Sequence, residues 1–194
     1  MMKLLAAIVS VGLAAAETYT IQPAAGSEFR LYITKTGPIM GGKKHDLLFE
    51  RYQGKLEYDA AAPEKSSVEF AVESGSMVVK DDWVKQGQLK DIRDEALGKN
   101  GLEAEKHSKI TFKSSSTGKA PDGSFGVHGT LTIRGIAKPA VVTVKLGGEG
   151  ARLTLDGTSK VKLTDYGIKP PKAALGLVGT QDEMEVRFRV VAAK

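Results

Sequence analysis

Apolar residues recur at every second position along much of this chain, and the pattern is cleanest between residues 124 and 146, SFGVHGTLTIRGIAKPAVVTVKL. Phe125, Val127, Leu131 and Ile133 share one parity, while Ser124, His128, Thr130 and Thr132 share the other. That is the two-residue period of a strand with one buried face. After a tight connection around Arg134, Gly135 and Ile136, Val142, Val144 and Leu146 alternate with Val141, Thr143 and Lys145. Pro139 has no N–H to give a ladder, so it is expected at the beginning of the returning strand. The stretch predicts a hairpin with one dry face.

The same period recurs on both sides of this hairpin. Tyr19 and Ile21 start a short strand ending at Pro23, and Phe29, Leu31 and Ile33 alternate with Arg30, Tyr32 and Thr34. Gly37, Pro38, Gly41 and Gly42 then predict a loop over 37–44 that could serve as a rim or lid. From His45 to Asp59 the parity changes, with Leu47 and Phe49 on one and Tyr52, Leu56 and Tyr58 on the other. A bulge near Gln53 and Gly54 would reconcile the two halves and bend the strand. Further strands are expected at Val68–Val72, from Ile110 and Phe112, from Leu153 through Leu163, and at Met184–Val190, with a loop at 169–179 before the last. Between Asp81 and Gly98, Leu89, Ile92, Arg93, Ala96 and Leu97 have helical spacing, with Gly98 as the stop. The apolar face of that helix is narrow, so it should lie on, or across the mouth of, a sheet structure, anchored by Trp83. Roughly eight strands with helix only as an insertion predict an antiparallel barrel or sandwich.

Length and composition narrow the reading. The 194 residues suit one domain, and with no cysteine there is neither a disulfide framework nor a thiolate chemistry. The formal charge of +5 is scattered along the strands rather than gathered in a run. It predicts a solvated exterior and not a nucleic-acid surface, and leaves room for a weak contact with anionic membranes. At the start, Met1, Met2 and Lys3 precede an apolar run from Leu4 to Leu13, and Ala14, Ala15 and Ala16 end it. The run is too short to span a bilayer and reads as a cleavable signal peptide over residues 1–16, leaving 17–194 as the mature domain in a periplasmic or extracellular space.

No constellation for chemistry emerges. His45, His107 and His128 are not at metal-ligand spacing, and no serine sits in a GxSxG elbow. Gly147, Gly148 and Gly150 join two strands, which predicts a hairpin turn rather than a phosphate cradle. Asp165 has no visible catalytic partner and reads as a turn-capping carboxylate. The one-sided strands instead build an apolar interior, and small or medium residues among its inward positions, including Gly54, Val68, Val72, Val144 and Val161, favour a cavity.

Several segments in order resemble the YceI-like family: YTIQP at 19–23, Ser27-Glu28-Phe29, YQGKLEYD at 52–59, ITFKSSS at 110–116, GVHGTLTIRGIAKPAVVTV at 126–144 and LTDYGI at 163–168. The chain departs from the family at Ser108, where a proline is usual, and at Gly26, where a histidine is frequent. Residues 77–102 match the usual insertion only through Arg93-Asp94. The resemblance implies an all-β, eight-stranded antiparallel lipocalin-like barrel with a short helix inserted between strands. It also implies a non-enzymatic carrier of a polyisoprenoid, isoprenoid quinone or fatty acyl chain, with no cofactor and a dimer allowed. The expected lining is Phe29, Leu31, Leu56, Tyr58, Phe70, Phe112, Leu131, Ile133, Val142, Val186 and Phe188, with Trp83 and Tyr166 near an opening. The alternative is a filled barrel acting as an interaction or envelope-stress module.

Overall fold

The alternating segments are strands of one antiparallel sheet. The computed structural model describes residues 16–194, so the expected leader falls outside the described residues except for Ala16. The strands are β1 (Glu17–Ile21), β2 (Glu28–Thr36), β3 (Lys44–Phe49), β4 (Tyr52–Tyr58), β5 (Ser67–Glu73), β6 (Met77–Val79), β7 (Lys109–Lys119), β8 (Phe125–Ile133), β9 (Ile136–Glu149), β10 (Arg152–Lys162) and β11 (Gly179–Ala193). One helix, α1 (Gln86–Leu97), is inserted between β6 and β7.

These eleven strands make eight wall ribbons, because three ribbons are bent into two pieces each. β1 and β2, β3 and β4, and β5 and β6 are successive halves of single ribbons, since β4 pairs with β1 and β5 while β3 pairs with β2 and β6. Pairing continues round the bend through Glu50 N–H to the Ser76 carbonyl (3.3 Å) and Glu73 N–H to the Arg51 carbonyl (3.0 Å). β11 then bonds β10 on one edge and both β2 and β1 on the other, with Thr20 opposite Ala193. The wall is a closed antiparallel barrel of eight ribbons, which leaves no ladder edge open along β11.

The change of parity expected near Gln53–Gly54 occurs instead at Glu50–Arg51, between β3 and β4. Leaving the ladder for two residues lets Phe49 and Tyr52 both face inward, and both are buried. At the β8–β9 turn, Arg134 and Gly135 take φ of 51° and 73°, the two left-handed residues of a primed hairpin opposite the Ile133–Ile136 pair. The guanidinium offsets the conformational cost at Arg134 by bonding Gly167 O, Lys99 O and Glu103 Oε2.

Pro139 lies further along than expected, four residues into β9 and opposite Thr130. Alternation from the turn-closing Ile133–Ile136 pair points its nitrogen away from β8, toward β10. The β9–β10 ladder ends at Thr143–Thr158, so no acceptor is left unpaired by the proline. Above that point, toward the upper end of both strands, they diverge, and the short turn Thr164–Tyr166 packs against both.

All eight ribbons run between two ends. The upper end carries the loops 37–43, 80–108 with α1, 134–135 and 163–178, while the lower end carries the short connections 59–66, 120–124 and 150–151. No residue of α1 is buried, but Leu89, Ile92, Ala96 and Leu97 pack against the core. Arg93 fastens the helix by donating to Met77 O (2.8 Å) and Gly75 O (3.0 Å).

A candidate ligand cavity inside the barrel

The inward side chains do not meet in the middle. They enclose a cavity of about 470 Å³, within the range of small-molecule sites, roughly 300–1,000 Å³. It runs from Pro63, Ser66 and Phe125 near the lower end to Lys35, Met40 and Thr180 at the upper. On β8 the lining extends from Phe125 to Ile133. At about 3.3 Å per residue and a tilt of about 40°, that span is roughly 20 Å along the axis. Its mean cross-section is therefore on the order of 20 Å², the width of one hydrocarbon chain at van der Waals spacing.

Local sequence shapes this space through glycines opposite aromatic rings. An added Cβ at Gly54 would meet Phe70 Cδ2 at 2.8 Å, one at Gly129 would meet Phe112 Cζ at 2.6 Å, and one at Gly157 would meet Phe188 Cε2 at 2.5 Å. Each ring thus reaches into the space a side chain on a neighbouring strand's glycine would fill. Phe29 stacks on Phe188 (5.7 Å, 8°) and on Phe70 (5.4 Å, 29°), and meets Phe49 edge-on at 6.2 Å. Phe29, Phe70 and Phe188 remain partly accessible although they point inward, because their inner surfaces border open space.

Phe29, Leu31, Leu56, Tyr58, Phe70, Trp83, Phe112, Leu131, Ile133, Val142, Val186 and Phe188 all line the cavity. Tyr166 does not. It is 2% exposed on the Thr164–Tyr166 turn, where it faces a separate 210 Å³ cleft between β9 and β10 with Pro139, Lys160 and Asp165. Burial pushes its hydroxyl pKa up, with Asp165 adding to the effect. The reason for the difference is the divergence of β9 and β10, which opens an outer groove that an aromatic side chain fills.

Polar groups gather at the upper mouth, where Lys35, His45, Gln88, Glu95, Asn100 and Thr180 reach the cavity. His45 is the most constrained. Its Nδ1 lies 2.5 Å from Asp81 Oδ2, whose carboxylate is fully buried and also accepts from the Asp46 N–H at 2.7 Å. Trp83 packs over the imidazole at 5.3 Å and donates its indole N–H to Lys44 O. Beside them Arg30 bridges Asp46 and Glu28, and these two acceptors raise its pKa. Periodicity could not find Met40, Gln88, Asn100 or Pro171 as lining residues, because Gln88 and Asn100 lie in or just beyond the helix and Met40 and Pro171 in loops, whereas His45 shares the parity of Leu47 and Phe49, a signal that could have placed it inward. Among the described residues no group of three or more histidines, cysteines or carboxylates is arranged to hold a metal ion.

The model of the YceI-like domain matches residues 19–192. The chain belongs to the YceI-like family. Among curated relatives, the UPF0312 protein of Ectopseudomonas mendocina is 32% identical over 126 residues, covering 62% of each chain. That of Azotobacter vinelandii is 30% identical over 127 residues, again 62% of each. The chain thus spans about 62% of the length of these relatives. Among solved structures, BcnA of Burkholderia cenocepacia superposes with a TM-score of 0.66 at 22% identity, over 85% of this chain and 96% of the other. The Campylobacter jejuni YCEI protein superposes with 0.58 at 19% identity, over 76% and 84%. These likenesses establish the lipocalin-like YceI barrel as the fold.

Proposed function

We propose that this YceI-like protein is a non-enzymatic carrier, secreted to a periplasmic or extracellular space, whose barrel holds one long apolar chain of isoprenoid or fatty acyl type. The observation that carries this reading is the cavity itself: about 470 Å³, chain-wide, apolar along its length and polar at the upper mouth. Each methylene drawn from water contributes about 0.8 kcal/mol, so roughly ten methylenes offset a mid-range association cost of about 4–15 kcal/mol. A shorter ligand would bind weakly. The polar mouth, with His45 held by Asp81, supplies contacts for a head group while the chain lies below. The apolar run at Leu4–Leu13 supports export.

The test is saturable binding of a lipophilic fluorescent probe to delipidated protein, with displacement by a polyprenol, a quinone and a fatty acid in turn. Phe112→Asp and Leu131→Asp should abolish uptake while the melting transition persists. Folded, delipidated protein that takes up neither probe nor lipid would refute the carrier and leave the ligand-free interaction module in its place. Mass spectrometry of an organic extract would identify the chain.

A further inference from the structure

We propose that the upper rim of the barrel docks on an anionic lipid surface through a small apolar tip ringed by lysines. The tip is built by two loops. Leu175 is fully exposed, Ile39 is 61% exposed and Leu177 is 48% exposed, with Met40 beside them at 37%. Among the described residues these four belong to six large apolar side chains that stand out in solvent, the others being Ile136 and Val141 on β9. The two loops form one surface. Thr36 pairs with Gly179 at their bases, and Gly37, at φ of 93°, lies so close to Leu177 that a Cβ would meet its carbonyl carbon at 2.9 Å.

The local backbone holds the tip outward. Ala173 and Val178 exchange both of their backbone hydrogen bonds, and Ala174 and Leu175 turn the chain between them with φ of 50° and 55°. Left-handed backbone is costly for a branched residue, yet Leu175 is presented to water although the apolar cavity opens next to it, at Met40 and Pro171. An apolar side chain held in that position gains only when something apolar covers it.

The charges nearby select the surface. Lys35, Lys43 and Lys44 flank the first loop, Lys169 and Lys172 the second, and neither 35–44 nor 169–179 contains an acid. Lys44 has Glu185 at 3.8 Å. Across the mouth, Lys85, Lys90 and Arg93 are balanced by Asp91, Asp94 and Glu95, Asp82 lies before the helix, and Asp165 and Asp182 flank the second loop's base, the latter held by Thr164. Four apolar side chains make too small a patch for a stable protein interface, which needs about 1,000 Å² or more. They suit shallow insertion at the headgroup boundary, with lysines attracted to anionic lipid. The proposal extends the carrier reading by placing the mouth where a lipid chain is loaded or released, but it does not depend on what the cavity holds.

Co-sedimentation of the mature chain with phosphatidylcholine vesicles, with and without phosphatidylglycerol, tests this. Binding is expected with phosphatidylglycerol, falling about tenfold or more without it, in high salt, or in Lys169→Glu/Lys172→Glu. Leu175→Asp should weaken it similarly, whereas Val141→Asp, on the outer wall, should not. Melting temperature and probe uptake should stay at the wild-type level in all of these variants. Wild-type protein that ignores both vesicles, or binding unchanged in Leu175→Asp, would overturn the proposal. A rim-dependent dimer formed without vesicles would also overturn it, by making a second copy the occupant. Vesicle binding that persists in a protein taking up no probe would sink the carrier while leaving the docking rim in place.

Discussion

Gly157→Ala is the sharpest probe of how the cavity is kept open. Gly157 sits in β10 directly opposite Phe188 in β11, with φ outside the left-handed region, so the only cost of a methyl group is what it meets. It would meet the Phe188 ring at 2.5 Å from Cε2 and 2.6 Å from Cε1, with Cζ nearer still. Ordinary carbon contacts are about 3.5–4.0 Å, so the ring must retreat by about 1 Å or more. The backbone cannot yield, being paired on both sides, and the open direction is the cavity. Leaving its seat, the ring gives up its parallel stack on Phe29, about 0.5–1.5 kcal/mol, and is driven off its rotamer, about 0.5–1.5 kcal/mol. Against this, replacing glycine restricts the unfolded chain and returns about 0.4–1 kcal/mol. The net expectation is a destabilisation of about 1–2 kcal/mol, or about 3–6 °C in Tm for a domain of this size. Urea unfolding of Gly157→Ala, Phe188→Leu and the double variant should show a coupling of about 1–2 kcal/mol, and probe affinity should fall in the single Gly157→Ala variant only. A Gly157→Ala protein as stable as wild type with unchanged probe affinity, or an equal cost in the Phe188→Leu background, would refute the seating of the ring.

Other consequences follow from the polar groups. Asp81→Ala strands the His45 Nδ1 and the Asp46 N–H, so urea unfolding should show a loss of about 2–6 kcal/mol, with Trp83 fluorescence shifting as its neighbour is freed. Tyr52→Phe should be neutral or stabilising by up to about 1 kcal/mol in the same assay, because the Tyr52 hydroxyl is buried near Ser27 with no well-formed hydrogen bond and its pKa is pushed up by burial. Glu103, bonded by Lys106 and by Arg134 at the β8–β9 turn, is held down at a pKa of about 2. Its stabilising effect is therefore complete above the unfolded carboxylate range and is lost as pH falls from about 5 to 2. Thermal melts of wild type and Glu103→Gln should differ at pH 7 and converge by pH 2; a constant gap would refute the linkage.

The barrel was legible because alternation is a local property. Val127, Leu131, Ile133, Val142, Val186 and Phe188 declare their inward parity from neighbours two residues away, and a closed wall of such strands leaves them no face but the lumen. Positions fixed by contacts between distant ribbons carried no such signal. The parity shift at Glu50–Arg51 exists because β4 must pair with β1 while β3 pairs with β2, and the place of Pro139 depends on where β10 stops following β9. Tyr166 reads as a mouth residue in a linear chain and becomes an outer wedge only when those strands diverge.

Period, charge scatter and turn residues thus specified which side chains face in and how many ribbons enclose them, since both follow from short-range sterics. That the interior stays open was a tertiary outcome. It depends on Gly54, Gly129 and Gly157 standing beside Phe70, Phe112 and Phe188 of neighbouring strands, which lets the rings lie against the wall. Ring and glycine are 16, 17 and 31 residues apart in the chain, and only the register of the closed sheet brings each pair together.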